Sequence, residues 1–183
     1  RHVSVLRNES LVNLDSLESL ESVGEDLVIS HNDAVSEISL PVLQFVGGDL
    51  EVAFDDALTC VDLPYLATVL GDVRVDHDEV LEAVEMPALV VVHGDLQLQM
   101  NFALSDLDFG ELTEIDGALN IHVCDALENL AGCDDLQEVA SMEISANDSL
   151  VEIGGLHALE QISGDVLFSG NGVLERLHGL ESL

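Results

Sequence analysis

The stretch Leu27-Val28-Ile29-Ser30-His31-Asn32-Asp33-Ala34-Val35 recurs along the chain. Leu50-Glu51-Val52-Ala53-Phe54-Asp55-Asp56-Ala57-Leu58 follows the same pattern. Copies opening at Val3, Val73, Leu96, Leu119, Met142 and Val166 bring the number to eight, spaced 23 or 24 residues apart. A fixed period of this length is the mark of a stacked solenoid. Each copy opens with two apolar residues flanking a variable one, as in Leu27 and Ile29 or Leu96 and Leu98. Alternation with period two reads as a short strand with one buried face. Stacked in register at about 4.8 Å, eight such strands would make a parallel sheet roughly 35 Å long.

Three residues past the second apolar position stands a polar column: Asn8, Asn32, Asp55, Asp78, Asn101, Cys124, Asn147 and Asn171. Together with the strand it spells the L-x-L-x-x-(N/C) phrase of leucine-rich repeats. A short amide can satisfy backbone groups left unpaired where the coil leaves the strand. Further apolar columns follow, among them Leu58 and Val61, then Leu66 and Val69, so each repeat supplies six apolar side chains to one interior. Pro41, Pro64 and Pro87 fall 23 residues apart at a corner, and Gly132, Gly155 and Gly179 take that corner in later repeats. A glycine column before the strands (Gly24, Gly48, Gly71, Gly94, Gly117, Gly164) is expected to supply positive-φ turns. The segments between columns are too short for a long helix. The expected fold is therefore mainly all-β: a right-handed, single-stranded β-solenoid of leucine-rich-repeat type, with about eight coils of 23–24 residues. It is expected to be one domain over residues 1–183, a segment of a longer protein.

Composition bounds the partners. Four Arg and no Lys face 37 Asp and Glu, a formal net charge of −33. Nucleic acid is excluded as a partner, because binding it needs basic residues to neutralise phosphates. Anionic lipid surfaces are disfavoured for the same reason, and no apolar run is long enough to insert into a membrane. The acidity reads as a solvated surface suited to high salt or a cation-rich exterior; specific cation binding is the alternative. Three cysteines, Cys60, Cys124 and Cys133, are too few for a disulfide scaffold and read as free thiols, with a Cys124–Cys133 bridge as the alternative.

The columns together resemble the receptor L-domain family, the leucine-rich-repeat-like solenoids of receptor ectodomains and microbial surface proteins. The phrases that carry the resemblance are Gly48-Asp49-Leu50-Glu51-Val52, Gly94-Asp95-Leu96-Gln97-Leu98 and Gly155-Leu156-His157-Ala158-Leu159-Glu160-Gln161-Ile162. The resemblance covers nearly the whole chain. It implies an extracellular or cell-surface location and a non-catalytic recognition role. The acidity and the lack of Cys-rich modules point, within that resemblance, to a microbial protein.

Two candidate sites follow from the columns. The first is the acid column before the strands, Asp26, Asp49, Asp72 and Asp95. At strand spacing, like charges repel by about 1 kcal/mol even in bulk water. Either each Asp caps its own glycine turn, or a Ca²⁺ ion is drawn in by the oxygen cluster; no other cofactor is implied. The second is the outward strand face, where acids are fewer. Its middle carries Arg74, Asp76, Gln97, Gln99, Asn120 and His122, with Phe54, His77 and Met100 along the strand ends. Arg, aromatic and Met residues are common interface anchors. His31 and His77 lie two repeats apart, about 10 Å, too far to share one metal. No nucleophile–base motif or phosphate loop stands apart from the repeat, so no enzyme is expected. The expected function is recognition of a protein or glycan at the cell surface through the strand face. The alternative is a structural subunit of a filament, sheath or surface layer, assembled end to end with cations bridging acidic walls.

Overall fold

The computed structural model describes residues 1–183 as a β-solenoid with eight stacked strand copies, hence about seven turns, and no α-helix. One wall holds the predicted strands: Val3–Leu6, Leu27–Ser30, Leu50–Ala53, Val73–Asp76, Leu96–Gln99, the later parts of Glu114–His122 and Glu138–Ser145, and Val166–Ser169. Neighbours pair parallel and in register, so Leu27 lies between Val3 and Leu50, and Leu96 between Val73 and Leu119.

The coil is not single-stranded. A second wall forms from Glu37–Ser39, Cys60–Asp62, Ala83–Glu85 and Asp106–Asp108. A third forms from Ser22–Val23, Phe45–Val46, Thr68–Val69 and Val91–Val92, and continues into Glu114–His122, Glu138–Ser145 and Gln161–Ile162. The physical reason is the constant period. Equivalent backbone groups of successive coils meet at every corner, and buried N–H and C=O groups must find partners. The only helical piece is a 3₁₀ turn at Asp15–Leu17.

The core is one cluster of 44 buried residues along the solenoid axis. Leu, Val and Ile dominate, and Phe109 is its only aromatic side chain. Full burial of each such side chain stabilises by about 1.5–3 kcal/mol. The apolar columns of coils two to six are almost wholly sealed, whereas Val3, Val5, Phe168 and Leu174 in the end coils are only half-buried.

The polar column forms a ladder inside this core. Each side-chain Oδ1 accepts the backbone N–H of its counterpart in the preceding coil: Asn32 N–H to Asp55 Oδ1 (2.6 Å), Asp55 N–H to Asp78 Oδ1 (2.8 Å), Asp78 N–H to Asn101 Oδ1 (3.0 Å) and Cys124 N–H to Asn147 Oδ1 (2.9 Å). The asparagine Nδ2 groups then donate to strand carbonyls: Asn32 to Val5 O (3.0 Å), Asn101 to Val75 O (2.8 Å) and Asn147 to Ile121 O (3.2 Å). Cys124 Sγ lies 3.6 Å from Leu98 O, the equivalent carbonyl.

Asp55 and Asp78 have no amide to offer there. Their Oδ2 atoms are sealed from water and accept no hydrogen bond. A carboxylate oxygen would face a carbonyl oxygen at that place, whereas a protonated carboxyl can donate to it. Burial pushes the Asp55 carboxyl up, partly offset by hydrogen bonds from Asn32. Burial also pushes the Asp78 carboxyl up to about 8, and the charges of Asp55 and Asp76 add to the effect.

The glycine column does not supply positive φ. Positive φ falls instead on the residues just before the polar column, Arg7, His31, Phe54, His77, Met100, Val123 and Ala146, with Gly170 in the last coil, and on the corner glycines Gly132, Gly155 and Gly179. What the glycine column supplies is close approach. A Cβ on Gly71 would stand 2.7 Å from the carbonyl carbon of Gly48 and would overlap Asp49 Oδ1.

Candidate functional site

The acid column lies at the start of the strand wall. Asp26, Asp49, Asp72 and Asp95 are each half-buried. Their Oδ1 atoms accept backbone N–H groups from the next coil: Asp49 N–H to Asp26 (3.0 Å), Asp72 N–H to Asp49 (2.8 Å), Asp95 N–H to Asp72 (2.9 Å) and Ala118 N–H to Asp95 (2.8 Å). Each Asp therefore caps the neighbouring coil, not its own glycine turn. The free oxygens are partly engaged too. Arg74 Nη2 donates to Asp72 Oδ2 at 2.5 Å, and Gln97 Nε2 donates to Asp95 Oδ2 at 3.1 Å. These donors offset the stacking repulsion that made a cation attractive. No group of three or more His, Cys, Asp or Glu side chains is placed to hold a metal ion.

The acid column also explains the glycines. Gly48, Gly71, Gly94 and Gly117 each stand where a Cβ would meet the carboxylate one coil back. Ala118 occupies the acid position in its coil, and there the next coil carries Ala140 in the glycine position. Where the carboxylate is absent alanine is accommodated at 140, whereas Gly164, opposite Ser141, is still crowded by the Ala140 carbonyl.

On the strand face, register sets two columns side by side. Glu51, Arg74, Gln97, Asn120 and Glu143 form one; Ala53, Asp76, Gln99, His122 and Ser145 form the other. Gln99, Asn120, His122 and Glu143 line one depression of this face. Gln99 Nε2 donates to Gln97 Oε1 at 3.2 Å, extending the chain that starts at Asp95. His122 Nδ1 lies 3.0 Å from Ser145 Oγ, which donates to Glu143 Oε1 at 3.1 Å. Glu143 and Ser145 were not singled out by sequence reasoning. Their register positions, Glu143 one coil beyond Asn120 and Ser145 one coil beyond His122, were the available signal.

The remaining candidates do not converge on that depression. Arg74 is drawn to Asp72 at the opposite end of its strand. Along the strand ends, His31, Phe54 and His77 stack, with ring centroids 4.8 and 4.5 Å apart and interplanar angles of 26° and 18°. The two histidines cover both faces of Phe54, so its ring is no open stacking platform. His77 Nδ1 sits 2.7 Å from Asp76 Oδ1, a contact that becomes an ion pair when the imidazole is protonated. Met100 continues the same column one coil further, also at positive φ.

The second wall carries a different electrostatic feature. Ser39, Asp62, Glu85 and Asp108 are in register, as are Glu37, Cys60, Ala83 and Asp106. Partial burial, then the charges of Asp62, Asp106, Asp108 and Glu37, push the Glu85 carboxyl up. Burial, with Glu85, Asp62, Glu37 and Asp106 around it, pushes the Cys60 thiol up to about 11. Cys124 and Cys133 are buried and burial pushes both thiols up to about 12; all three cysteines are free.

No helix is long and apolar enough to cross a membrane. Comparisons of the chain with protein-family models, with curated proteins and with solved structures found no match.

Proposed function

We propose that this solenoid is a non-catalytic recognition module that takes a protein or glycan partner on its strand face, at an extracellular or cell-surface location. One observation carries the reading. In a chain with 37 acidic residues and four Arg, the middle of the strand face gathers Gln99, Asn120 and His122 around one depression edged by Glu143, with Gln97 in register beside Asn120. Amides, imidazole and a single carboxylate hydrogen-bond hydroxyl and peptide groups without needing charge neutralisation. Regular solenoid faces are the usual binding surfaces of repeat proteins. The resemblance to receptor L-domains supports the same role.

The test is side-chain amide NMR of the protein titrated with neutral oligosaccharides and with unstructured peptides. Shifts confined to Gln97, Gln99 and Asn120, and abolished in a Gln99→Ala/His122→Ala variant, support the reading. A ligand that binds equally well to that variant overturns it. Sedimentation over a concentration series, with and without Ca²⁺, addresses the structural-subunit alternative: reversible end-to-end growth that depends on Ca²⁺ would favour it over the recognition role.

A further inference from the structure

The third wall carries a surface unlike the rest of the molecule. Residues 42–47, 65–70 and 88–93 occupy equivalent places in three successive coils and contain no Asp, Glu, Lys or Arg. Phe45, Thr68 and Val91 are in direct register across these coils. Tyr65 is 62% exposed, Leu70 46%, Val90 39% and Val42 36%. With the half-buried Phe45 and Val91 they line one outward side of the solenoid, on which Gln44, Thr68 and His93 are the polar members. The other apolar columns of these coils point into the core, so this face is not a by-product of core packing.

The charge reappears abruptly at the margins. In the next coil the same span carries Glu111, Glu114 and Asp116, and in the coil before it carries Glu21. The second wall borders the face with Asp62 and Glu85, and the strand wall borders it with Asp49 and Asp72. An apolar centre ringed by one sign of charge is the form of an interaction surface, and contiguous exposed apolar patches mark such sites.

We infer that this face docks a polypeptide whose apolar centre is flanked by Lys or Arg. Charge complementarity selects that occupant. A second copy would bring another formal charge of −33 against the same acidic margin, and an anionic lipid surface would be repelled likewise. Basic margins on the partner meet Glu21, Glu111 and Glu114 and steer its approach, while Asp116 is engaged by His93 at 2.6 Å. Three coils at about 4.8 Å make a small face, so the contact belongs to the transient class that buries less than about 1,200 Å². This surface is separate from the strand face and stands or falls independently of the recognition role assigned there.

The chain contains no Trp, so indole fluorescence can report a bound peptide alone. The probe is a synthetic peptide with Leu, Trp and Ile at its centre and Lys at both margins. Its counterparts carry Glu at the margins, or Ser in place of the central Leu and Ile. The Lys-margined apolar peptide is expected to bind at least ten-fold tighter than either. Tyr65→Ser/Leu70→Asn should weaken it at least ten-fold, whereas Val12→Ser/Val151→Ser, at exposed apolar residues elsewhere, should not. Val90→Lys, which sets like charge against the peptide margins, provides a second variant with an exposed site should the double variant unfold. Failure of the wild-type protein to bind the peptide, equal binding of the Glu-margined peptide, or unchanged affinity in these variants would overturn the inference. So would a wild-type dimer that Tyr65→Ser/Leu70→Asn dissolves, which would assign the face to a second copy.

Discussion

The backbone N–H of Asp55 donates to Oδ1 of Asp78, one coil away, at 2.8 Å. The bond joins the two carboxyl groups of a sealed ladder whose other members are asparagines and Cys124. Asp78 Oδ2 has no partner, at the place where Asn101 and Asn147 present an NH₂ group to a strand carbonyl. Burial and the missing donor at Oδ2 both favour the neutral form of the acid in this ladder.

A pH dependence follows from that. Burial pushes the Asp78 carboxyl up to about 8, while the unfolded chain releases this proton in the ordinary carboxyl range. Between those values the folded state holds a proton the unfolded state has lost, so stability falls as pH rises, by at most about 1.4 kcal/mol per pH unit for one proton. Asp78→Asn restores the amide donor and removes this group's share of the slope, leaving that of Asp55, whose carboxyl burial also pushes up. Urea unfolding at pH 5, 7 and 8.5 should show the variant more stable by roughly 1–3 kcal/mol at pH 7, with the gain growing toward pH 8.5. A gain independent of pH would mean that Asp78 is not held neutral.

Glycine and aspartate are coupled across coils. Gly71→Ala should destabilise by on the order of 2–3 kcal/mol, because the added methyl meets Asp49 Oδ1 and the Gly48 backbone. In an Asp49→Ala background the same substitution should cost less, as the Ala118 and Ala140 pair shows is tolerated. A double-mutant cycle measures the coupling directly, and strict additivity would refute it.

Backbone strain has an address at Val123, a β-branched residue at φ 55°. The left-handed region costs an L-residue about 1–2 kcal/mol. Glycine already stands in this column at Gly170. Val123→Gly should therefore be neutral or stabilising by up to about 1 kcal/mol, against the usual loss for valine to glycine in a β-structure. Thermal midpoints of the two proteins decide it.

Thiol chemistry reports the acidic second wall. With the Cys60 thiol pushed up to about 11 by burial and its acidic neighbours, its thiolate fraction at pH 8 is on the order of 100-fold below that of a free thiol. Disulfide-exchange labelling at pH 8 should be correspondingly slow. Glu85→Gln should speed it, while Cys124 and Cys133 react only on unfolding. Rapid labelling of Cys60 in the wild-type protein would contradict this picture of the wall.

Cations act on the whole surface. With Asp26, Asp49, Asp72 and Asp95 of the acid column already each accepting a backbone N–H, the thermal midpoint should rise with ionic strength through screening. Ca²⁺ and Mg²⁺ at equal ionic strength should raise it equally. A rise specific to Ca²⁺, lost in Asp49→Asn/Asp72→Asn, would assign an ion to the column.

The period alone was enough to read the coil. Apolar spacing marked which side chains turn inward, because a constant repeat can bury only residues that recur at equivalent places; Leu27, Ile29 and Val35 are fully buried. The polar column was legible for the same reason, down to Cys124 as a stand-in for asparagine. Three things were beyond its reach, and all depend on what one coil does to the next. The walls beyond the strand column, such as Glu37–Ser39 and Phe45–Val46, exist because corner backbones meet across coils, which no single repeat displays. The glycine column was read as positive φ, but its cause is the close approach of the backbone and, in most coils, the carboxylate one coil back, and positive φ went to His31, Phe54 and their column-mates and to the corner glycines Gly132, Gly155 and Gly179 instead. The candidate site was legible as a face but not as a set of partners. Arg74 turns to Asp72, while Gln99, Asn120 and His122 gather with Glu143, because side chains choose among neighbours that only stacking brings within a few ångströms.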